Sequence, residues 1–148
     1  IISPPDMFVQ GRLSTAEHDQ NELNISIQNH NIPYKFVEGR KLIAFYSMGC
    51  KFCKMSAERL SVLVRKEQID TSSIKVVFWE SSKRKPSQFY EETHAIFYDN
   101  IQLPTEPYLA ITKGRMPLLL LINNGVVEEQ MNYRNMDESK IKQFLKSE

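Results

Sequence analysis

Apolar and polar positions change their spacing twice between Lys41 and Trp79. KLIAFYS, Lys41 to Ser47, is an almost unbroken apolar run of strand length and predicts a buried central strand. From Lys51 to about Glu67 a helical period takes over: Cys53, Ala57, Leu60 and Val64 recur at i, i+4, i+7 and i+11, with Lys54, Glu58, Ser61 and Arg65 on the other side. SIKVVFWES then puts Ile74, Val76 and Phe78 on one face and Val77 and Trp79 on the other, as in a strand covered on both sides and parallel to the first.

The flanking segments carry weaker signals. Residues 1–31 are polar, with Pro4 and Pro5 and no sustained period, and read as an extended leader that packs peripherally rather than as a helix. Tyr34 to Val37 is a possible first strand. Pro86 suits the first turn of a helix in which Phe89, Thr93, Ile96 and Phe97 form a stripe ending near Asn100. Ile101 to Arg115, with Pro104, Pro107 and Gly114, reads as a long loop, and Tyr108 within it fits a substrate groove or ordinary packing equally well. Met116 and Pro117 open a hairpin in which LLLLI and VVEEQMNY are joined through Asn123 to Gly125. A last helix has the stripe Ile141, Phe144 and Leu145, with Asp137 and Glu138 where its dipole favours acids. The expected order is β, β, α, β, α, long loop, β, β, α. This is an α/β domain with a βαβ unit and a ββα unit around a central mixed sheet.

Bulk properties narrow the function only by exclusion. The 148 residues suit one domain, 32–148, behind the leader at 1–31, and 19 basic against 18 acidic residues give no global pull toward nucleic acid or an acidic surface. Lys83 to Lys85 is too short a basic run to argue for nucleic acid and reads as a solvated loop. No stretch of about 18 apolar residues is present to span a bilayer, and a start at Ile1 suggests a trimmed fragment whose signal or anchor is out of view. The sequon at Asn24 to Ser26 carries little weight, because such triplets are frequent by chance.

The chemistry sits at the strand-to-helix junction, in FYSMGCKFCKMSAERL. Cys50 and Cys53 are the chain's two cysteines, spaced so that their sulfurs can meet within the first turn of a helix. Free N–H groups and the positive end of a helix dipole favour a thiolate on the first cysteine; thiols in such settings ionise at roughly pH 3.5–7.5. No Asp or Glu lies between Gly39 and Ala57, whereas Arg40, Lys41, Lys51 and Lys54 add positive charge. Cys53, on the apolar stripe, suits a shielded resolving thiol. The competing metal reading lacks ligands: His18, His30 and His94 show no paired zinc spacing, and His94 lies off its helix stripe. Lys51 and Phe52 are candidates to contact partners, whereas Trp79 and LLLLI read as core.

The GCKFC motif between strand and helix, followed by Met116 and Pro117 before a later strand, resembles the thioredoxin superfamily over roughly residues 34–147. The leader and the extended loop resemble bacterial extracytoplasmic members in particular, some of which are attached to membrane segments. The resemblance implies a thiol-disulfide oxidoreductase with Cys50 as nucleophile and Cys53 as resolving thiol, acting as a monomer on protein disulfides with a redox partner protein. It implies no cofactor or metal beyond the Cys50–Cys53 disulfide, a cis bond before Pro117, and substrate backbone pairing at Met116. This chain departs from the family pattern at Ala44 and Ser56, where buried carboxylates are usual, leaving water, Glu58 or another group to take the Cys53 proton. The alternative these departures motivate is a redox-inert module that binds extended segments beside Pro117.

Overall fold

The computed structural model describes residues 20–30 and 32–146. Eleven elements follow in order: α1 (20–29), α2 (Tyr34–Val37), β1 (Arg40–Tyr46), α3 (Lys51–Glu67), β2 (Ile74–Trp79), α4 (Pro86–Thr93), β3 (Asp99–Leu103), α5 (Thr105–Thr112), β4 (Leu118–Asn123), β5 (Val126–Met131) and α6 (Glu138–Lys146). The strands form a five-stranded mixed sheet in the order β3-β2-β1-β4-β5, parallel from β1 to β3 and antiparallel from β1 through β4 to β5.

Period-two alternation along the strands builds two cores. Leu42, Ala44 and Tyr46 of β1, Ile74, Val76 and Phe78 of β2, and Leu119 and Leu121 of β4 pack with Cys53, Leu60 and Val64 of α3, with Phe89 of α4 and with Ile141 of α6. Ile43, Phe45, Val77, Leu118, Leu120 and Ile122 face the other way, toward Leu23 and Ile27 of α1, Phe36 of α2, and Tyr108 and Ile111 of α5. The βαβ and ββα units and the two-faced character of β2 match the pattern read from the sequence.

Four local expectations need correction. Tyr34 to Val37 is a single helical turn, not a strand: Pro33 precedes it, Gly39 follows in the left-handed region at φ 67°, and Phe36 alone is buried. Residues 20–29 are helical rather than extended, because Leu23 and Ile27, one turn apart, bury against the second core. Asn24 also accepts a 2.8 Å hydrogen bond from the Val127 N–H, and Glu22 pairs with Lys113. The rest of the expected leader, residues 1–19 and 31, lies outside the described residues.

The third correction concerns the Pro86 helix, which stops at Thr93 because His94 turns into the left-handed region at φ 54°. Phe97 consequently lies off any stripe and is 67% exposed. Fourth, the expected loop from Ile101 to Arg115 holds the end of β3 and all of α5. Pro104 caps α5 and Pro107 sits in its first turn, where a missing N–H breaks no helical hydrogen bond. Tyr108 accordingly lies in the core, fully buried and stacked on Trp79 at 5.4 Å.

Helix α1 is expected to contribute to global stability. Ile27→Ala should lower the free energy of urea unfolding by about 2–4 kcal/mol, as for a buried isoleucine. A change within about 0.5 kcal/mol would mean that residues 20–29 do not belong to the cooperative unit.

Candidate functional site

Strand β1 is buried from Leu42 to its end at Tyr46; the Ser47 to Gly49 turn then leads into α3. The Cys50 N–H donates to the Ser47 carbonyl at 3.0 Å, and the Cys50 carbonyl accepts from the Lys54 N–H at 3.1 Å, so Cys50 occupies the N-cap with extended backbone geometry. Its side chain is half-buried and the thiol is free. No acidic residue lies in the first turn of α3, while Lys51 is exposed beside the thiol.

Cys53 is fully buried on the same helix. Burial pushes its thiol up; the Ser47 N–H, which donates to Sγ at 3.4 Å, opposes this, and the Cys50 side chain adds to it. The pair is therefore asymmetric in access as the helical stripe predicts.

The two departures noted in the sequence acquire a structural content. Ala44 is buried beneath the pair with no polar group to offer. Ser56, fully buried one turn after Cys53, shares a 3.3 Å hydrogen bond with the Tyr46 hydroxyl. Among the described residues no carboxylate contributes to the shift of the Cys53 thiol, and Glu58 is exposed on the outer side of α3. Two phenols take that place: Tyr46 and Tyr108 both interact electrostatically with Cys53, and burial, the larger effect, pushes both phenols well up. The Tyr108 hydroxyl is buried with no hydrogen-bond partner. In the sequence Tyr46 reads simply as strand, and Tyr108 as a residue of a groove or of ordinary loop packing, so neither stands out as a neighbour of the thiols.

The Met116–Pro117 peptide bond is cis, and Pro117 is buried at the start of β4. Phe52, Met116 and Pro117 line one groove of about 300 Å³ together with Asn132, Tyr133 and Arg134, and the Phe52 and Tyr133 rings meet at 5.9 Å, tilted by 40°. A second groove shares Met116 and Pro117 and extends along Gly114, Arg115 and Gln130. Three of the contact residues singled out by sequence thus meet in one place, whereas Lys51 stands outside the groove. Asn132, Tyr133 and Arg134, which follow β5, carried no signal in the sequence because only the closing of the hairpin onto β1 brings them here.

Arg84 was also missed. It lies over Gly49: a Cβ on that glycine would stand 3.4 Å from the Arg84 Nε. Among the described residues no three His, Cys, Asp or Glu side chains come together as a metal site, and His94 is exposed. No described helix is long and apolar enough to cross a membrane.

The buried acids dictate an alkaline limit. Cys53, Tyr46, Tyr90, Tyr98 and Tyr108 are all pushed up by burial, so each ionises more readily in the unfolded chain. The stability they carry is intact below their ordinary values of 9.0 for Cys and 10.0 for Tyr. It falls as pH rises above those values, by about 1.4 kcal/mol per group and pH unit. The reduced protein is expected to unfold cooperatively between about pH 10 and 12, with these four tyrosines becoming tyrosinates in the same transition that abolishes the far-UV circular dichroism. Gradual titration of all six tyrosines with the dichroism intact would contradict their burial. Tyr108→Phe, which removes an unpartnered hydroxyl, should be neutral or stabilise by up to about 1 kcal/mol in a denaturant melt, and a loss above that would reveal a partner.

No protein-family model matches this chain, and neither does any curated protein. Solved structures do. The thioredoxin domain of a thiol-disulfide oxidoreductase from Bacteroides vulgatus superposes with a TM-score of 0.58 at 15% identity, over 74% of this chain and 81% of that one. A thiol:disulfide interchange protein from Bacteroides sp. gives 0.57 at 13% identity, over 77% and 78% of the two chains. A secreted disulfide oxidoreductase from Mycobacterium tuberculosis gives 0.54 at 11% identity, over 72% and 80%. With the sheet order β3-β2-β1-β4-β5 and the helices on both faces, these likenesses establish that the chain has the thioredoxin fold.

Proposed function

We propose that this protein is a thiol-disulfide oxidoreductase in which Cys50 is the nucleophile and Cys53 the resolving thiol. The observation that carries the reading is the asymmetry of the pair: Cys50 half-buried at the N-cap of α3 among cations, Cys53 fully buried one turn on with its thiol pushed up. As a reductant, the Cys50 thiolate attacks a substrate disulfide, forming a mixed disulfide and expelling one substrate thiolate. Cys53 then loses its proton and attacks the Cys50 sulfur, releasing the second substrate thiolate and leaving the Cys50–Cys53 disulfide. Two electrons have passed to the substrate, and a redox partner protein returns them; the same steps in reverse oxidise a dithiol.

An extended substrate segment lies in the groove beside Met116 and Pro117, with Phe52 and Tyr133 as its aromatic wall and Lys51 at its margin. The substrates are protein disulfides, the protein acts as a monomer, and its place is outside the bacterial cytoplasm, a location supported by the secreted neighbour from Mycobacterium tuberculosis.

The alternative, an inert module that binds extended segments in the same groove, draws its support from the absence of a carboxylate near Cys53 among the described residues. Substitution separates the two. Cys50→Ser should abolish insulin-disulfide reduction, a loss of at least about a thousandfold, and Cys53→Ser should accumulate mixed disulfides seen by mass spectrometry. Undiminished exchange in Cys50→Ser would sink the mechanism. The Cys50–Cys53 potential then gives the direction of flow, since about −270 mV marks a reductant and about −120 mV an oxidant.

A further inference from the structure

The basic run Lys83 to Lys85 reads in sequence as a solvated loop, yet its central side chain reaches Gly49, the residue before the first thiol. Two hydrogen bonds fix the loop: the Lys83 and Arg84 N–H groups both donate to the Ser81 hydroxyl at 3.2 Å. A third anchors its end, where the Lys85 N–H donates to the Gln88 side chain as Pro86 opens α4. Lys83, Arg84 and Lys85 are all exposed, and the Arg84 side chain passes beside Gly49, with Nε, Cζ and Cδ at 3.4, 3.6 and 3.9 Å from where a Cβ would be. Gly49 directly precedes Cys50, so the Arg84 side chain passes within van der Waals range of the residue next to the first thiol.

The charge of Arg84 is only partly answered. Glu92 stands 3.9 Å from it but is held at 2.5 Å by Lys54, so one carboxylate serves two cations. Arg84 keeps 47% of its side chain exposed, and Lys51 adds a further exposed cation in the first turn of α3.

We propose that Arg84 makes this site selective for disulfides whose sulfur is flanked by a carboxylate, such as acidic protein segments around a cystine. The inference rests on the exchange reaction assigned to Cys50 above and adds its substrate class. In the attacking complex the substrate sulfur meets Cys50, and a carboxylate a few bonds away lies within reach of the guanidinium on Gly49, which can hold it in a bidentate way that a lysine cannot. An ammonium at the same place is repelled by Arg84, Lys54 and Lys51.

The test uses single turnover of the reduced full chain with three small disulfides: 3,3′-dithiodipropionate, which carries carboxylates, neutral 2-hydroxyethyl disulfide, and cystamine, which carries amines. No external reductant is needed, since the protein dithiol supplies both electrons. The anionic reagent is expected to react faster than the cationic one by roughly tenfold at low salt, and the ratio should shrink in high salt. Arg84→Gln should cut the ratio about fivefold, by losing attraction for one reagent and repulsion of the other, and Arg84→Lys should keep part of it. The neutral reagent controls for any general change in thiol reactivity. An unchanged ratio in Arg84→Gln, with normal reaction of the neutral disulfide, overturns the assignment to Arg84 alone. Failure of all three reagents to react overturns the exchange reading and this inference with it.

Discussion

The pairing of β1 with β4 is the constraint on which the site depends. Phe45 stands opposite Leu118 in an antiparallel register that runs back to Arg40 opposite Asn123. The end of β1, where the cysteine turn begins, is thereby placed beside the start of β4, where Met116 and Pro117 sit. Because successive side chains alternate faces, a slip of one residue would turn Ala44 and Tyr46 away from α3 and bring Phe45 under Cys53. Both faces of the two strands are buried, so such a slip would cost the whole of both cores.

Within that frame the two thiols differ because the helix offers them different surroundings, although they share one turn. Cys50 caps the helix, whose first turn holds no acid; Cys53 packs inward in one cluster with Leu60, Ala57 and Tyr46. The fold supplies the inner sulfur with a backbone N–H, and the Tyr46 and Tyr108 phenols interact with it electrostatically. Burial is the largest of the effects that make Cys53 a reluctant acid, the Cys50 side chain adds to it, and the neighbouring Tyr46 phenol is itself pushed well up by burial.

The sequence made legible those parts in which a single period dominates. The seventeen-residue helix α3, the two-faced β2 and the Asn-Gly hairpin each had a local signal strong enough to survive packing. Elements with few buried residues were misread. Helix α1 commits only Leu23 and Ile27 among polar neighbours, α2 only Phe36, and the edge strand β3 only Leu103. The prolines of α5 read as breakers, although both stand where a helix tolerates them. In the site, Cys50, Cys53, Met116 and Pro117 could be found because they belong to compact motifs. Arg84 and Tyr133 could not, because their proximity to Gly49 and Phe52 is created by chain crossings of dozens of residues that no local pattern encodes.

Helix α1 has a role toward other molecules as well as toward its own core. Strand β5 is an outer strand of the sheet, and such edges invite pairing with strands of neighbouring chains. The Asn24 side chain takes the Val127 N–H, and Gln20 donates to the Glu128 carbonyl, so part of this rim is occupied by side chains of α1. A polar segment with little hydrophobic signal of its own thereby shields an aggregation-prone border, which gives its asparagines and glutamines a purpose that their apparent looseness in the sequence conceals.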